Sequence, residues 1–396
     1  MAADYHLNLM QCRSCKHEGL ENLINLGSQY LSDFRTDDIK PPKYPLELMR
    51  CPNCNFVQLK ESAPLSEMYT PNYGFKSGVN DTIKNDLKSI VDEAKTYTKG
   101  KIVMDIGAND GTLLNNYDSS YYKIAFEPIT KLANQIQAQE VINDFFFPIK
   151  AKCDIITSIS MFYDVEDPEK FVRDVSSMLK EDGVWIIQQN YFLTSLKLNG
   201  YDNICHEHIG YHTLLSMEHL LNRLGLEVVK VSTSMINGGS FRTIVRWKGH
   251  KVDSSVSKQR QIEKDYKLDT SEPYENFSLR IEEETNKLKE LLDKIKKEGK
   301  KVYIYGASTR GGTIWQYAGL DVKDLPYAVE RNPEKVGKKI ASIGVPIISE
   351  EQARQEKPEY MLVSIWFFEP EINKRESEYL KNGGHLIYPL PEVKII

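Results

Sequence analysis

The sequence predicts an α/β protein of three units in a row: a small cysteine-bearing unit, then two units built on mostly parallel sheets. Three observations predict it. Two identically spaced cysteine pairs, CRSC and CPNC, fall near the start. Two apolar runs, KIVMDIG and KVYIYG, each lead through glycines into a helical pattern. Around them, short apolar stretches alternate with amphipathic ones, the pattern of strands joined by crossover helices.

The cysteine pairs come first. Cys12, Cys15, Cys51 and Cys54 form two turns, each able to grip one metal with two thiolates. Together they supply the four sulfurs that close a tetrahedral zinc site and leave no position for water, so the expected metal is structural. The stretch between the pairs is too long for a compact ribbon, and residues 1–70 read as a small zinc-binding domain. Cys153 and Cys205 sit in apolar surroundings and read as buried thiols. A net charge of −5 without a Lys/Arg stripe argues against nucleic acid as a partner. No apolar run approaches the roughly 20 residues of a membrane span, and MAADYHLNLMQC lacks the basic and apolar regions of a secretory signal. With thiols expected reduced, the cytoplasm is the expected compartment.

Residues 75–250 carry the second unit, with strands expected at 101–106, 122–126, 154–158 and 183–188 and helices at 171–179 and 217–224. In KIVMDIGANDGTLL, Asp105 closes a strand, and Gly107, Asn109 and Gly111 form a turn at its carboxyl end. Such a turn suits a dinucleotide or S-adenosylmethionine. The third glycine of the dinucleotide fingerprint GxGxxG is missing, which favours the methyl donor. Glu127 ends the next strand, where its two oxygens suit two ribose hydroxyls. Asp144 and Phe145 follow in NDF, an acid and an aromatic suited to the amine and face of adenine.

Residues 255–298 are rich in Lys and Glu, with Phe277, Ile281, Leu288, Leu291, Leu292 and Ile295 at helical spacing. With Pro273 near the start and Gly299 at the end, they predict one long connecting helix, a strut between domains. Residues 299–396 then repeat the strand–turn–helix form in KVYIYGASTRGGTIWQY, where Ser308, Thr309 and Arg310 accompany Gly306, Gly311 and Gly312. Oriented amides, hydroxyls and a cation there suit an anion. Glu330 ends the following strand, so NAD and an oxidoreductase remain an open alternative.

Five segments together, the four cysteines, MDIGANDGTLL, HEHIGYHTL, NGGSFR and YGASTRGGTIWQY, resemble the three-domain sugar C-methyltransferases over nearly the whole chain. The resemblance implies a zinc-binding domain, a class I methyltransferase Rossmann-like domain and a second Rossmann-like domain that helps to hold a nucleotide-linked 4-keto-deoxysugar. It implies His208 as the base that takes a proton beside the ketone, so that an enolate meets the methyl group. An imidazole suits that transfer near neutral pH. Glu207 is expected to assist, with Arg242 among the candidate donors to the enolate oxygen. His206, Asn237, Ser308 and Arg310 are expected on the substrate. Were HEH extended, His206 and His208 would point one way and Glu207 the other.

Four positions depart from the family's pattern. Cys205 stands where a tyrosine commonly precedes HEH, and Phe75 stands for a second tyrosine. Asp164 and Asn237 each stand for a histidine. These changes keep methylation of an oxygen or nitrogen open beside that of carbon, and a non-enzymatic zinc scaffold stays open as well.

Overall fold

The computed structural model describes residues 11–68 and 76–396, so Phe75 lies outside the described residues. Its centre is a seven-stranded sheet. In space the strands run Leu226–Ser234, Ser240–Trp247, Leu179–Asn190, Cys153–Ile159, Ile102–Ile106, Tyr122–Phe126 and Glu140–Ile142. All pairings are parallel except those of Ser240–Trp247, which runs against both neighbours. Val103, Met104, Ile155 and Ile156 are all fully buried, as strands covered on both faces must be. From Ile102–Ile106 the chain first builds outward on one side, then crosses to Cys153–Ile159 on the other. That reversal opens a crevice at the carboxyl ends of these two strands, where open α/β sheets bind ligands.

The helix Asp81–Tyr97 starts at Asn80, whose side chain accepts hydrogen bonds from the amides of Thr82 and Ile83. It turns Ile83, Leu87, Ile90, Val91 and Ala94 onto one face of the central sheet. A polar stripe beside that face carries residues that return below.

A four-stranded and an eight-stranded sheet flank the centre, and each takes in a strand from another unit. The N-terminal sheet joins Glu21–Tyr30, Lys43–Arg50 and Val57–Leu59 to Gly210–Tyr211, which belongs to the HEHIGYH segment. The C-terminal sheet is built on five parallel strands with Val302–Tyr305 at their centre, and Phe34–Arg35 from the first unit extends its edge. Each exchange covers a sheet edge that would otherwise stand open. The N-terminal unit is therefore tied to the HEHIGYH segment by backbone pairing, and the C-terminal unit to the N-terminal one.

The connecting stretch differs from the expected single helix. Helices Ser254–Asp265 and Glu272–Lys297 are separated by a break in which Lys267 adopts a left-handed φ of 57°. Pro273, in the first turn of the second helix, disfavours helix in the residue before it and so resists a continuous rod. The second helix does bridge the units. Phe277, Ile281, Leu288, Leu292 and Ile295 are buried, Arg280 donates to the Leu196 carbonyl, and Glu284 accepts from the Val393 amide at 2.7 Å. Among the described residues no helix is long and apolar enough to cross a membrane.

Candidate active site and metal centre

The crevice holds a cavity of about 280 Å3. At its floor Asp105 ends the first strand, 3% exposed, accepting the Thr157 hydroxyl at 2.6 Å. Burial pushes its carboxyl up to about 7, against the pull of Thr157 and with help from the charge of Glu127. Gly107 then turns the chain at φ 74°, and the amides of Gly107 and Ala108 both donate to the Phe126 carbonyl at 2.9 Å. That pins the turn to the second strand and brings Glu127 beneath it.

Glu127 receives the Asn109 amide on one oxygen at 2.8 Å and the Ile129 amide on the other at 2.9 Å. Each oxygen keeps a lone pair in reserve, and the side chain lines the cavity. Asn109 reaches the other way: its side-chain oxygen accepts the Ser77 amide at 2.9 Å, while Asp110 accepts that of Gly78 at 2.9 Å. A strap at 77–78 is thereby laid over the glycine turn. Asp144 and Phe145 complete the wall. Buried acids, a paired-acceptor carboxylate and an aromatic face fit S-adenosylmethionine at its ammonium, ribose and adenine. Gly111 is different. At φ 78° it packs where a Cβ would come within 3.2 Å of the Ile136 backbone, and it does not line the cavity.

On the far side the cavity is bounded by Ser160, Met161, Asp164, Gln188 and Asn237. Two of the four departures from the family's pattern, Asp164 and Asn237, thus face it, while Cys205 is buried behind. The HEH segment is a tight turn at 206–207 rather than an extended strand, with the His208 amide donating to the Cys205 carbonyl. Its two imidazoles consequently part. His206, 4% exposed, gives its Nε2–H to the Tyr44 carbonyl at 3.1 Å, so it serves the junction with the N-terminal unit and not the cavity. Glu207 is half-buried at the turn.

His208 places Nδ1 2.9 Å from the Asn203 carbonyl. A carbonyl only accepts, so Nδ1 carries the proton and Nε2 is left with its lone pair. The ring lies 4.2 Å from that of Tyr163, whose neighbour Asp164 lines the cavity, although neither ring itself does. Burial, with the charge of Arg310 behind it, outweighs the Asn203 bond and pushes the imidazole down to about 3. It is neutral throughout the physiological range, which leaves Nε2 able to accept but makes it a weaker base than the free imidazole expected from the sequence.

Arg242 stands behind the wall. Its guanidinium holds Gln188 at 2.8 Å, Glu93 at 2.8 Å, Asp86 at 3.0 Å and Ser89 at 2.9 Å. Those bonds consume most of its donors and orient Asp86 and Gln188, both of which line the cavity. Sequence reasoning missed these two. The spacing of Asp86, Ser89 and Glu93 along one helix face was a readable signal of a polar stripe, but nothing local named its partner. Ser308 accepts the Gly311 amide at 3.0 Å and caps its own turn. Arg310 pairs with Asp202 at 2.7 Å and donates to the Asn237 carbonyl. Neither of these two lines the cavity.

The metal centre is built by two matching knuckles. Lys16 and Asn55, at φ 60° and 56°, each return an amide to the carbonyl of the first cysteine of their pair at 2.8 Å. Cys12 and Cys54 bring their sulfurs to 3.5 Å, as do Cys15 and Cys51, and all four lie within 4.8 Å of one another. Sulfurs set tetrahedrally about 2.3 Å from zinc are about 3.8 Å apart, so the set fits that ion. No other such cluster occurs among the described residues. Arg13, inside the first knuckle and buried, pairs with Glu166 on the rim of the cavity, and Lys16 pairs with Asp167 at 3.1 Å. The metal unit thus braces the loop that follows Cys153–Ile159.

Comparison with known proteins covers the chain in three pieces. Residues 12–69 match the family described as "Putative zinc binding domain", 81–231 "Methyltransferase domain", and 235–391 "C-methyltransferase C-terminal domain". The C-methyltransferase NovU of Streptomyces niveus is 26% identical over 406 residues, covering 98% of this chain and 96% of its own. Among solved structures, an S-adenosylmethionine-dependent methyltransferase from Clostridium acetobutylicum aligns over 43% of this chain and 94% of its own, with 14% identity and a TM-score of 0.35. A SAM-dependent methyltransferase from Leishmania major aligns over 43% and 75%, with 13% identity and the same TM-score.

Proposed function

Because the chain belongs to the three-domain C-methyltransferase family and is an S-adenosylmethionine-dependent methyltransferase with a structural zinc, we propose that it methylates a carbon beside the ketone of a nucleotide-linked sugar. The observation that carries the reading is the tautomer of His208, whose protonated Nδ1 is tied to Asn203 and whose Nε2 is free to accept. S-adenosylmethionine supplies, when bound, a methyl group on a positively charged sulfur.

The chain's own residues do the rest. Asp105 holds the ammonium end of the donor, Glu127 accepts from the ribose hydroxyls, and Asp144 with Phe145 receives the adenine. His208 takes the proton from the carbon beside the ketone onto Nε2, and the electron pair moves onto the ketone oxygen as an enolate. The enolate carbon takes the methyl group as its bond to sulfur breaks, the electron pair staying on sulfur, and His208 later returns its proton to water. A soluble activated sugar and reduced zinc thiolates suit the cytoplasm.

The test is proton exchange. In heavy water, with a 4-keto nucleotide sugar and S-adenosylhomocysteine bound, deuterium should enter the carbon beside the ketone, and His208→Ala should stop it. Turnover of that variant should fall by roughly 10²–10⁴-fold. No exchange in the unaltered enzyme, with a product whose new methyl resonates as methoxy or N-methyl, would sink the reading.

A further inference from the structure

We infer that Arg310, carried by the second glycine turn, is a positioning residue that fixes the His208 anchor and the Asn237 turn with one guanidinium. It reaches out of its own domain to do so. One arm pairs with Asp202, which is 0% exposed and also accepts the Trp366 indole N–H at 3.1 Å. The other donates to the carbonyl of Asn237. The plane of the group lies over the Phe367 ring at 4.7 Å. A planar fork serving two partners is what arginine offers and lysine does not.

Each partner leads to the site. Asp202 and Asn203 share the single turn Tyr201–Asn203, and the Asn203 carbonyl is what holds Nδ1–H of His208. Clamping Asp202 therefore fixes the adjacent peptide that sets the tautomer. The hydroxyl of Thr313, three residues after Arg310, donates to the Ile204 carbonyl at 2.8 Å and pins the same turn from its other end. On the second side, Asn237, Gly238 and Gly239 run consecutively at φ 52°, 82° and 121°. Glycine moves freely among such angles, so a contact from outside is needed to hold the run in one conformation. A Cβ on Gly238 would come within 3.2 Å of the Arg310 guanidinium, so glycine there makes room for the clamp. Asn237 itself lines the far side of the cavity, away from the glycine turn.

The inference rests on the proposed role of His208, and the experiment separates the two. Removing Arg310 alone would strand the buried Asp202 carboxylate, so the variant pairs Arg310→Met with Asp202→Asn, whose amide oxygen still serves Trp366. On the full zinc-loaded chain, the nitrogen-15 resonances of His208 should report one Nδ1–H tautomer in the unaltered protein and a mixture rich in Nε2–H in the variant. Turnover should fall roughly tenfold or more, while S-adenosylhomocysteine affinity stays within about twofold. If the double variant does not fold, Arg310→Lys keeps the charge, gives up the double reach, and is read the same way. A tautomer unchanged in the variant overturns the clamp. A tautomer that shifts at unchanged turnover keeps the clamp and removes His208 as the base.

Discussion

Exchanging Glu127 for glutamine alters one oxygen and leaves the shape of the donor pocket intact. In the native carboxylate both oxygens already accept a backbone amide, from Asn109 and from Ile129, and each has one lone pair left for a ribose hydroxyl. An amide group must turn its NH2 toward one of those two N–H donors. One backbone amide then loses its acceptor, and one ribose hydroxyl meets a donor instead of an oxygen. A hydrogen bond to a charged acceptor contributes about 1.5–3 kcal/mol, so affinity should drop by roughly one to two decades. The empty protein should change little. Burial already pushes the Glu127 carboxyl up, so removing its charge relieves desolvation while costing one hydrogen bond. Calorimetric titration with S-adenosylhomocysteine measures binding without turnover. A dissociation constant within about twofold of the native value would move the ribose to other residues.

Asp105 should make both stability and donor binding depend on pH. Its folded-state carboxyl lies near 7, above its ordinary value, so the folded protein holds a proton that the unfolded chain releases. Its contribution is full below about pH 4 and is lost as pH rises through about 7, and Asp105→Asn should flatten that part of the melting curve against pH. Donor affinity should run the opposite way, strengthening as the acid ionises to meet the ammonium; equal affinity at about pH 6 and pH 8 would refute the pairing. For the metal, elemental analysis of protein purified without chelator should find one zinc per chain. Cys54→Ser should lose it and melt at lower temperature, because binding and folding of such a site are coupled; an unchanged melting point would show a dispensable site.

The parts of the site readable in the sequence are those made by neighbouring strands and short turns. Asp105 pairs in register with Ala125, and Ile106 with Phe126. A strand-end acid followed by glycines, and a second acid at the end of the next strand, must therefore meet at one edge. The cysteine pairs were readable for a similar reason, since each knuckle is closed by its own local hydrogen bonds. The HEH turn was not. Whether His206 and His208 share a direction depends on a backbone turn that no alternation pattern encodes, and the two rings end on carbonyls from different units. Nor did residue spacing show that the connecting stretch breaks at Lys267. Arg13 with Glu166, Arg242 with Asp86 and Arg310 with Asn237 join positions far apart in the chain, which only the closed fold brings together.

Those three arginines share a feature that bears on why one reaction takes three units. Asp86, Asp105, Glu127, Asp144, Asp164 and Glu166 all line the cavity, and no Lys, Arg or His does so among the described residues. A cation in the wall would oppose a sulfonium in a site of low dielectric, where the repulsion is screened far less than in water. Carboxylates crowded together without countercharge would instead take up protons, as Asp105 already tends to do. Arginines set one layer back meet both demands. Arg13 comes from the metal knuckle, Arg242 from the central sheet and Arg310 from the C-terminal turn, and each holds a wall residue by a hydrogen bond while keeping its charge off the cavity surface. Two of the three are supplied by the flanking units. On this account a methyltransferase domain cut away from its neighbours would keep the glycine turn and Glu127 yet lose the supports of Glu166 and Asn237. Its donor pocket would be less defective than its acceptor side.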